Sequence, residues 1–213
     1  MTKPRLLDLF CCQGGASKGY ADAGFEVVGV DLVPQPRYPF EFIQANALTF
    51  DLTGFDAVHA SPPCQKYSAA TRHLANDKPR LLDPLRARLI ASGLPYVIEN
   101  TPGAPLLDPA LLCGLAFPEL RVKRHRLFES NVPLVGSGCG DHSRDYFVIF
   151  GHECRDRRHG HAAGRKNKLA DGQAAMGIDW MTRGGLSEAI PPAYTRFVGA
   201  QLIAALRGKE GQR

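Results

Sequence analysis

The 213-residue chain lacks several features that would fix its class at once, and each absence excludes something. No apolar run approaches the roughly eighteen uninterrupted residues of a membrane-spanning helix. The amino-terminal residues carry no apolar core of a secretory leader, so a cytoplasmic protein is expected. Six cysteines in a chain this long do not make a disulfide framework, and two of them, Cys11 and Cys12, are adjacent. Reduced thiols are the expected state. The Gly-x-Gly-x-x-Gly fingerprint is missing, which disfavours an oxidoreductase that binds a dinucleotide. Internal repeats are absent too. At 44% hydrophobic and 22% charged residues the composition excludes global disorder, and the length suits one domain with a small insertion.

The formal net charge of +5 is unevenly placed. Residues 1–120 hold 10 basic and 12 acidic side chains, whereas residues 121–168 hold 11 basic and 5 acidic. The positive excess therefore belongs to one stretch, which includes Lys123-Arg124-His125-Arg126 and Arg155 to Arg158. Although a solvated face could account for it, a basic segment on a slightly acidic body fits a polyanionic partner such as nucleic acid better.

The first hundred residues alternate strand-like and helix-like segments. Arg5 to Phe10 reads as a strand entering a turn at Gly14-Gly15, Ala16 to Ala23 as a helix closed by Gly24, and Glu26 to Asp31 as a second strand. Short strands are expected at Phe40 to Ile43, Phe55 to Ala60 and Tyr96 to Glu99, with a helix from Leu81 to Ser92. This alternation predicts an α/β fold with a doubly wound, parallel, Rossmann-like sheet. Beyond residue 105 the pattern loosens, with one clear strand at Tyr146 to Phe150, and a helix over Pro191 to Leu206 ends it. The expected organisation is residues 1–128 as a nucleotide-binding catalytic part, 129–175 as a small basic insertion, and 176–213 returning to the first part.

A strand, a glycine turn and a helix can hold a nucleotide-like group, and Asp31, ending the second strand, can hold ribose hydroxyls. Phe10-Cys11-Cys12-Gln13-Gly14-Gly15 alone leaves open a merely tight turn. Ser61-Pro62-Pro63-Cys64-Gln65 follows a strand directly, and the two prolines would fix the Cys64 sulfur at the carboxyl edge of the sheet. A buried, inert cysteine is the commoner fate. Against it stands Glu99-Asn100, which leaves another strand at the same edge. A thiol and a carboxyl group converging beside a cofactor pocket suit covalent catalysis assisted by proton transfer.

Asp8-Leu9-Phe10 with Gly14-Gly15, Ser61-Pro62-Pro63-Cys64-Gln65 with Ser68, Glu99-Asn100 and Arg124-His125-Arg126-Leu127-Phe128 occur in this order. Together they resemble the S-adenosylmethionine-dependent cytosine-5 DNA methyltransferases. Ala189-Ile190-Pro191-Pro192-Ala193-Tyr194-Thr195 resembles that family's last motif in its short phage and prophage members. The resemblance leaves out roughly residues 129–175.

What it implies can be placed residue by residue. Cys64 would attack C6 of a flipped-out cytosine, and Glu99 would hold N3 and the exocyclic amine. Arg126, with Arg124, would orient the base. Phe10 would stack on the adenine of S-adenosylmethionine, Asp31 would take its ribose hydroxyls and Asn46 would lie near its amine. Gly14, Gly15 and Pro63 would complete the cofactor site, and Ser61, Pro62, Gln65, Ser68 and Asn100 would line the substrate side. DNA is the implied partner in a bacterial or phage-infected cell; a nuclease partner or a second chain is left open. The chain departs from the family pattern at Cys12 for Gly, Asn46 for Asp, Val122 for Gln, and Ser187-Glu188 for Gly-Asn. The insertion would be a reduced target-recognition region. It also holds Cys139, His142, His152 and Cys154, whose spacing matches no standard zinc finger but whose types can bind zinc. Methylation of RNA or of a modified pyrimidine, and a catalytically inactive nucleic-acid-binding homologue, are the alternatives.

Overall fold

Five short apolar runs of the first hundred residues pair side by side: β1 (Arg5–Leu9), β2 (Glu26–Asp31), β3 (Glu41–Gln44), β4 (Ala57–Ala60) and β5 (Tyr96–Asn100). Two more strands, β6 (Ala110–Cys113) and β7 (His125–Ser130), complete a seven-stranded sheet of order β3-β2-β1-β4-β5-β7-β6. The computed structural model describes residues 2–64, 67, 80–150, 153–158, 161–166 and 169–210. Strands β1 to β5 run parallel. The parallel pairing expected from the first hundred residues holds throughout them, and beyond them β7 is antiparallel to both β5 and β6. No helix crosses between β6 and β7; their connection carries only a short 3-10 turn, Gly114–Ala116, and reverses the chain as antiparallel neighbours require.

Alternation along β1 sets the two layers. Leu6 faces α1 (Gly15–Ala23) and α5 (Pro192–Glu210), sharing a core with Val27, Ala57, Val97 and Tyr194. Leu7 and Leu9 face α2 (Leu82–Ser92) in a second core with Val28, Val30, Val58 and Ile98. Both early helices stop where the sequence predicts, at Gly24 (φ 114°) and Gly93 (φ 68°), left-handed positions that favour glycine. A bidentate pair from Arg86 of α2 to Glu129 of β7 (2.8 and 2.9 Å) braces the antiparallel edge against the second layer.

Helices α1 and α5 touch so closely that a Cβ on Gly19 would fall inside the van der Waals shells of the Pro192 carbonyl and the Thr195 hydroxyl. Gly19→Ala would gain about 1 kcal/mol in helix propensity and lose about 1–3 kcal/mol or more to overpacking against backbone. Overpacking wins, because a backbone carbonyl cannot swing aside. Gly19→Ala is expected to be destabilised by about 2 kcal/mol, read as a lower urea midpoint at unchanged slope.

Two short helices, α3 (Leu169–Met176) and α4 (Arg183–Glu188), precede α5. Strands β8 (Tyr146–Phe150), β9 (Glu153–Arg158) and β10 (His161–Lys166) form an antiparallel three-stranded sheet of order β10-β9-β8 within the expected insertion. Its first strand is clipped to the segment before β7: Phe147 N donates to Arg121 O (2.7 Å) and Lys123 N donates to Phe147 O (3.1 Å). Arg121 and Lys123 lie over the Phe147 and Tyr146 rings, at 5.6 and 5.5 Å. Part of the basic segment is thus spent on internal contacts. Among the described residues no helix is long and apolar enough to cross a membrane.

Candidate active site at the carboxyl edge of the sheet

The turn after β1 is held in a backbone conformation that ordinary residues avoid. Phe10 (φ 62°) and Cys12 (φ 46°) are left-handed as well as Gly14 (φ 83°). Cys11 N donates to Val30 O (3.2 Å), Gly14 N to Cys11 O (3.0 Å) and Cys12 N to the Asp31 carboxylate (3.0 Å). Asp31 also accepts from Val33 N (3.1 Å), so it fixes the turn with one lone pair on each oxygen and keeps others for an incoming hydroxyl. A Cβ at Gly14 would come within 2.9 Å of Pro39, and one at Gly15 within 2.5 Å of the Ile190 carbonyl. The carboxyl-terminal segment clasps the same turn: Trp180 Nε1 donates to Gln13 O (2.7 Å) and Thr182 N donates to Gln13 Oε1 (3.0 Å). Gln13 lies inside the motif, but the motif itself does not reveal the reach to Thr182.

Beneath the turn, Asp8 is fully buried, accepts from the Ser17 hydroxyl, and has its other oxygen without a hydrogen-bond partner. Burial, opposed by that hydrogen bond and aided by Asp31 and Glu99, pushes its carboxyl up to about 7. Tyr38 donates to Ser17 Oγ (2.7 Å), closing the group. Asn46, just past β3, is exposed and accepts from Leu48 N (2.9 Å). Phe10 is half-buried.

The thiol and its partners converge from three strands. Cys64 follows β4 through buried Pro62 and exposed Pro63. Asn100 Nδ2 donates to Pro62 O (3.0 Å), so Asn100, itself buried, anchors the turn that carries Cys64. Glu99 of β5 lies directly across from Phe128 of β7, and the period of two places Arg124 and Arg126 on that same face. Arg126 Nε reaches Glu99 Oε1 at 2.9 Å, both side chains being largely enclosed. The approach is ionic rather than aligned, since Glu99 Oε1 is buried without a directed hydrogen bond. Arg124 is tied elsewhere: it donates to Ile149 O (3.1 Å) and Ser187 O (2.6 Å), while its Nε has no partner. Burial, then Arg126, pushes the Arg124 guanidinium down to about 9, where it is still protonated at neutral pH. Gln65 and Ser68 lie outside the described residues.

Burial pushes the Cys64 thiol up; Arg126 pulls it down, Glu99 adds to the rise and Arg124 opposes it. All three charges therefore act at the sulfur. Burial likewise raises the Glu99 carboxyl, against Arg126, Arg124 and a hydrogen bond from Ser61. Behind Ser61 runs a polar relay that motif reading missed. His59 Nε2 lies 2.8 Å from Ser61 Oγ, and Tyr20 Oη lies 3.0 Å from His59 Nδ1. Burial lowers His59 to about 3, so the imidazole is neutral. A neutral imidazole has one donor and one acceptor nitrogen, so the relay can point toward an ionised Glu99 or, with the other tautomer, away from a protonated one. Either protonation state of the acid is satisfied. Burial also drives the Cys11 and Cys12 thiols upward, with Asp31 and Asp8 reinforcing it, which leaves both as poor nucleophiles.

No family model matches the sequence, and no curated protein matches it. Solved structures do match the fold over nearly the whole chain. A mutant of Spodoptera frugiperda DNMT2 superposes with a TM-score of 0.65 at 11% identity, covering 94% of this chain and 99% of its own. A protein described as a DNA modification methyltransferase encoded within an E. coli prophage gives 0.67 at 13% identity, covering 96% and 99%. The chain has a methyltransferase fold. Entamoeba histolytica methyltransferase EhMeth shares it as well, with a TM-score of 0.58 at 12% identity over 99% of both chains. The turn after β1, the carboxylate ending β2 and the Cys64–Glu99–Arg126 group all stand at the carboxyl edge of the sheet, the edge at which open α/β sheets bind ligands.

Proposed function

We propose that this protein transfers a methyl group from S-adenosylmethionine to C5 of cytosine in DNA. The observation that carries the reading is a thiol at the carboxyl edge under the charges of Arg126, Glu99 and Arg124, with the buried Glu99 carboxyl held 2.9 Å from Arg126 Nε. The residues around the glycine turn fit the cofactor: Asp31 retains acceptor capacity, the small Gly14 and Gly15 leave the turn close-packed, and Leu32 after Asp31 is 68% exposed for an aromatic ring to cover. When bound, S-adenosylmethionine supplies the electrophilic methyl.

The remaining chemistry belongs to this chain. The Cys64 thiol gives its proton to solvent, and the thiolate forms a bond to C6 while Glu99 delivers a proton to N3. The C5–C6 π pair becomes a C4–C5 double bond and the C4–N3 π pair becomes the lone pair on N3, which leaves C5 as the nucleophilic carbon of an enamine. C5 takes the methyl. Loss of the C5 proton to water then expels the Cys64 thiolate as the C6–sulfur bond breaks, and N3 returns its proton to Glu99. Arg126 holds Glu99 and opposes the burial that keeps the thiol protonated. Arg124, anchored on two carbonyls, acts as a positioning residue for β7 and as a fixed charge. The base must leave its stack to meet Cys64, because C6 is hidden in a duplex.

Incubation with tritiated S-adenosylmethionine and either DNA or RNA tests the reading. Label in DNA cytosine, lost in Cys64→Ser, is expected. Label in RNA alone supports the RNA alternative, and binding without any label supports an inactive homologue. Both reject DNA methylation. Assays belong at low salt, since phosphate contacts weaken steeply as salt rises.

A further inference from the structure

Four side chains outside the proposed active site meet at the sheet edge. Cys113, His125, Cys139 and His142 bring one sulfur or nitrogen each into a common space, all within 4.8 Å of one another. Cys113 Sγ lies 3.3 Å from His142 Nε2, and His125 Nε2 lies 3.2 Å from Cys139 Sγ. Two separate parts of the fold supply them. Cys113 closes β6 and His125 opens β7, and the two are register partners, so their side chains share a face. The chain after β7 then returns along β6: Ser137 N donates to Leu111 O (3.1 Å), Cys113 N donates to Ser137 Oγ (3.2 Å), and Gly138 bridges Leu112. A Cβ at Gly136 would sit 2.6 Å from Leu111 O, so glycine permits this approach. The return lays Cys139 and His142 over the first pair.

We propose that these four residues bind a structural zinc ion in a closed Cys2His2 site. Two thiols, two imidazoles and no carboxylate form a donor set that suits zinc. Zinc bonds of about 2.3 Å to sulfur and about 2.0–2.1 Å to nitrogen put tetrahedral ligand atoms about 3.4–3.8 Å apart. The two sulfur–nitrogen separations already stand near that scale. Both thiols ionise on binding and release their protons. Four protein ligands leave no open position, so the ion holds structure rather than substrate. It would fasten the returning loop to the β6–β7 edge and fix the start of β7, which carries Arg126 and directly follows Arg124. Because neighbouring residues of a strand face opposite ways, His125 points away from the face that carries those arginines. The sequence motif Cys139-x-x-His142 therefore finds its partners upstream, at Cys113 and His125. His152 lies outside the described residues, as does the side chain of Cys154.

The test is metal analysis of the untagged full-length chain, purified under reducing conditions and loaded with zinc. About one zinc per chain is expected. Cys139 is exposed, so Cys139→Ser should keep the fold, judged by circular dichroism, while losing the zinc and melting several degrees lower. A His152→Ala/Cys154→Ala double variant should retain the zinc. Cobalt substitution should give the visible bands of a tetrahedral thiolate site, absent in Cys139→Ser. Failure of the reduced protein to hold zinc, retention of zinc by Cys139→Ser, or a native Cys113–Cys139 disulfide found by mass spectrometry would each overturn the proposal.

Discussion

Cys64→Ser is expected to fold normally and to lose methyl transfer by about 10^4-fold or more, the scale on which enzymes lose a covalent nucleophile. The change is nearly isosteric at a half-buried position, so packing is preserved. What disappears is a sulfur that can ionise: serine stays neutral in a site where burial already resists charge. The resting Cys64 is held above the ordinary thiol range by that burial, with Arg126, Arg124 and a backbone hydrogen bond opposing it. Two further results follow from the sign of this balance. Single-turnover methylation by the wild type should rise with pH from about 6.5 to about 8.5, approaching tenfold per unit, because the thiolate fraction grows that fast below the pKa. Arg126→Leu should move the profile to higher pH, since it removes the larger of the two cationic influences while burial and Glu99 remain. Mass spectrometry with DNA containing 5-fluorocytosine isolates the bond itself: its C5 cannot lose a proton, so the adduct should accumulate on the wild type and be absent from Cys64→Ser. A trapped adduct on any other cysteine would remove Cys64 from the mechanism.

The parts of this molecule legible in sequence are those set by local physics. Strand β2 has the predicted limits because Glu26 to Asp31 is β-branched, apolar and bounded by Gly24 and by prolines; α1 and α2 stop at glycines that adopt left-handed backbone. The convergence of Cys64 with Glu99 was also legible, because both leave parallel strands at one edge. Illegible were features made by long-range pairing. His125 to Ser130 begins with His125-Arg126 and ends with Glu129-Ser130, leaving two apolar residues between, so its hydropathy does not mark a strand, and its antiparallel direction depends on a short connection to β6. Arg124 belongs to the paired-arginine motif, yet its guanidinium is occupied by carbonyls from β8 and α4, 25 and 63 residues away. The cysteine–histidine cluster follows the same rule. Spacing exposes Cys139 and His142 to inspection, whereas Cys113 and His125 enter only through the register of β6 on β7.

Asp8→Asn should stabilise the protein at pH 8 and leave its stability nearly unchanged at pH 4. Asp8 is fully buried, and burial raises its carboxyl to about 7 in the folded chain. In the unfolded chain it titrates near about 4. Between those values the folded state keeps a proton that the unfolded state has given up, so stability falls as pH rises from about 4 to about 7 and is level above that. A shift of about 3 units corresponds to about 4 kcal/mol at most, and water penetration and relaxation bring the expected effect to about 2–4 kcal/mol. Asparagine removes the titration while its carbonyl still accepts from Ser17; its amide group replaces an oxygen that has no partner in either case. Urea midpoints for both proteins at the two pH values measure the effect, and an equal difference at both would refute the assignment to ionisation. Ser17→Ala supplies the opposite sign. It deletes the hydrogen bond that favours the charged carboxylate, so it should widen the titration window and lower stability at pH 8.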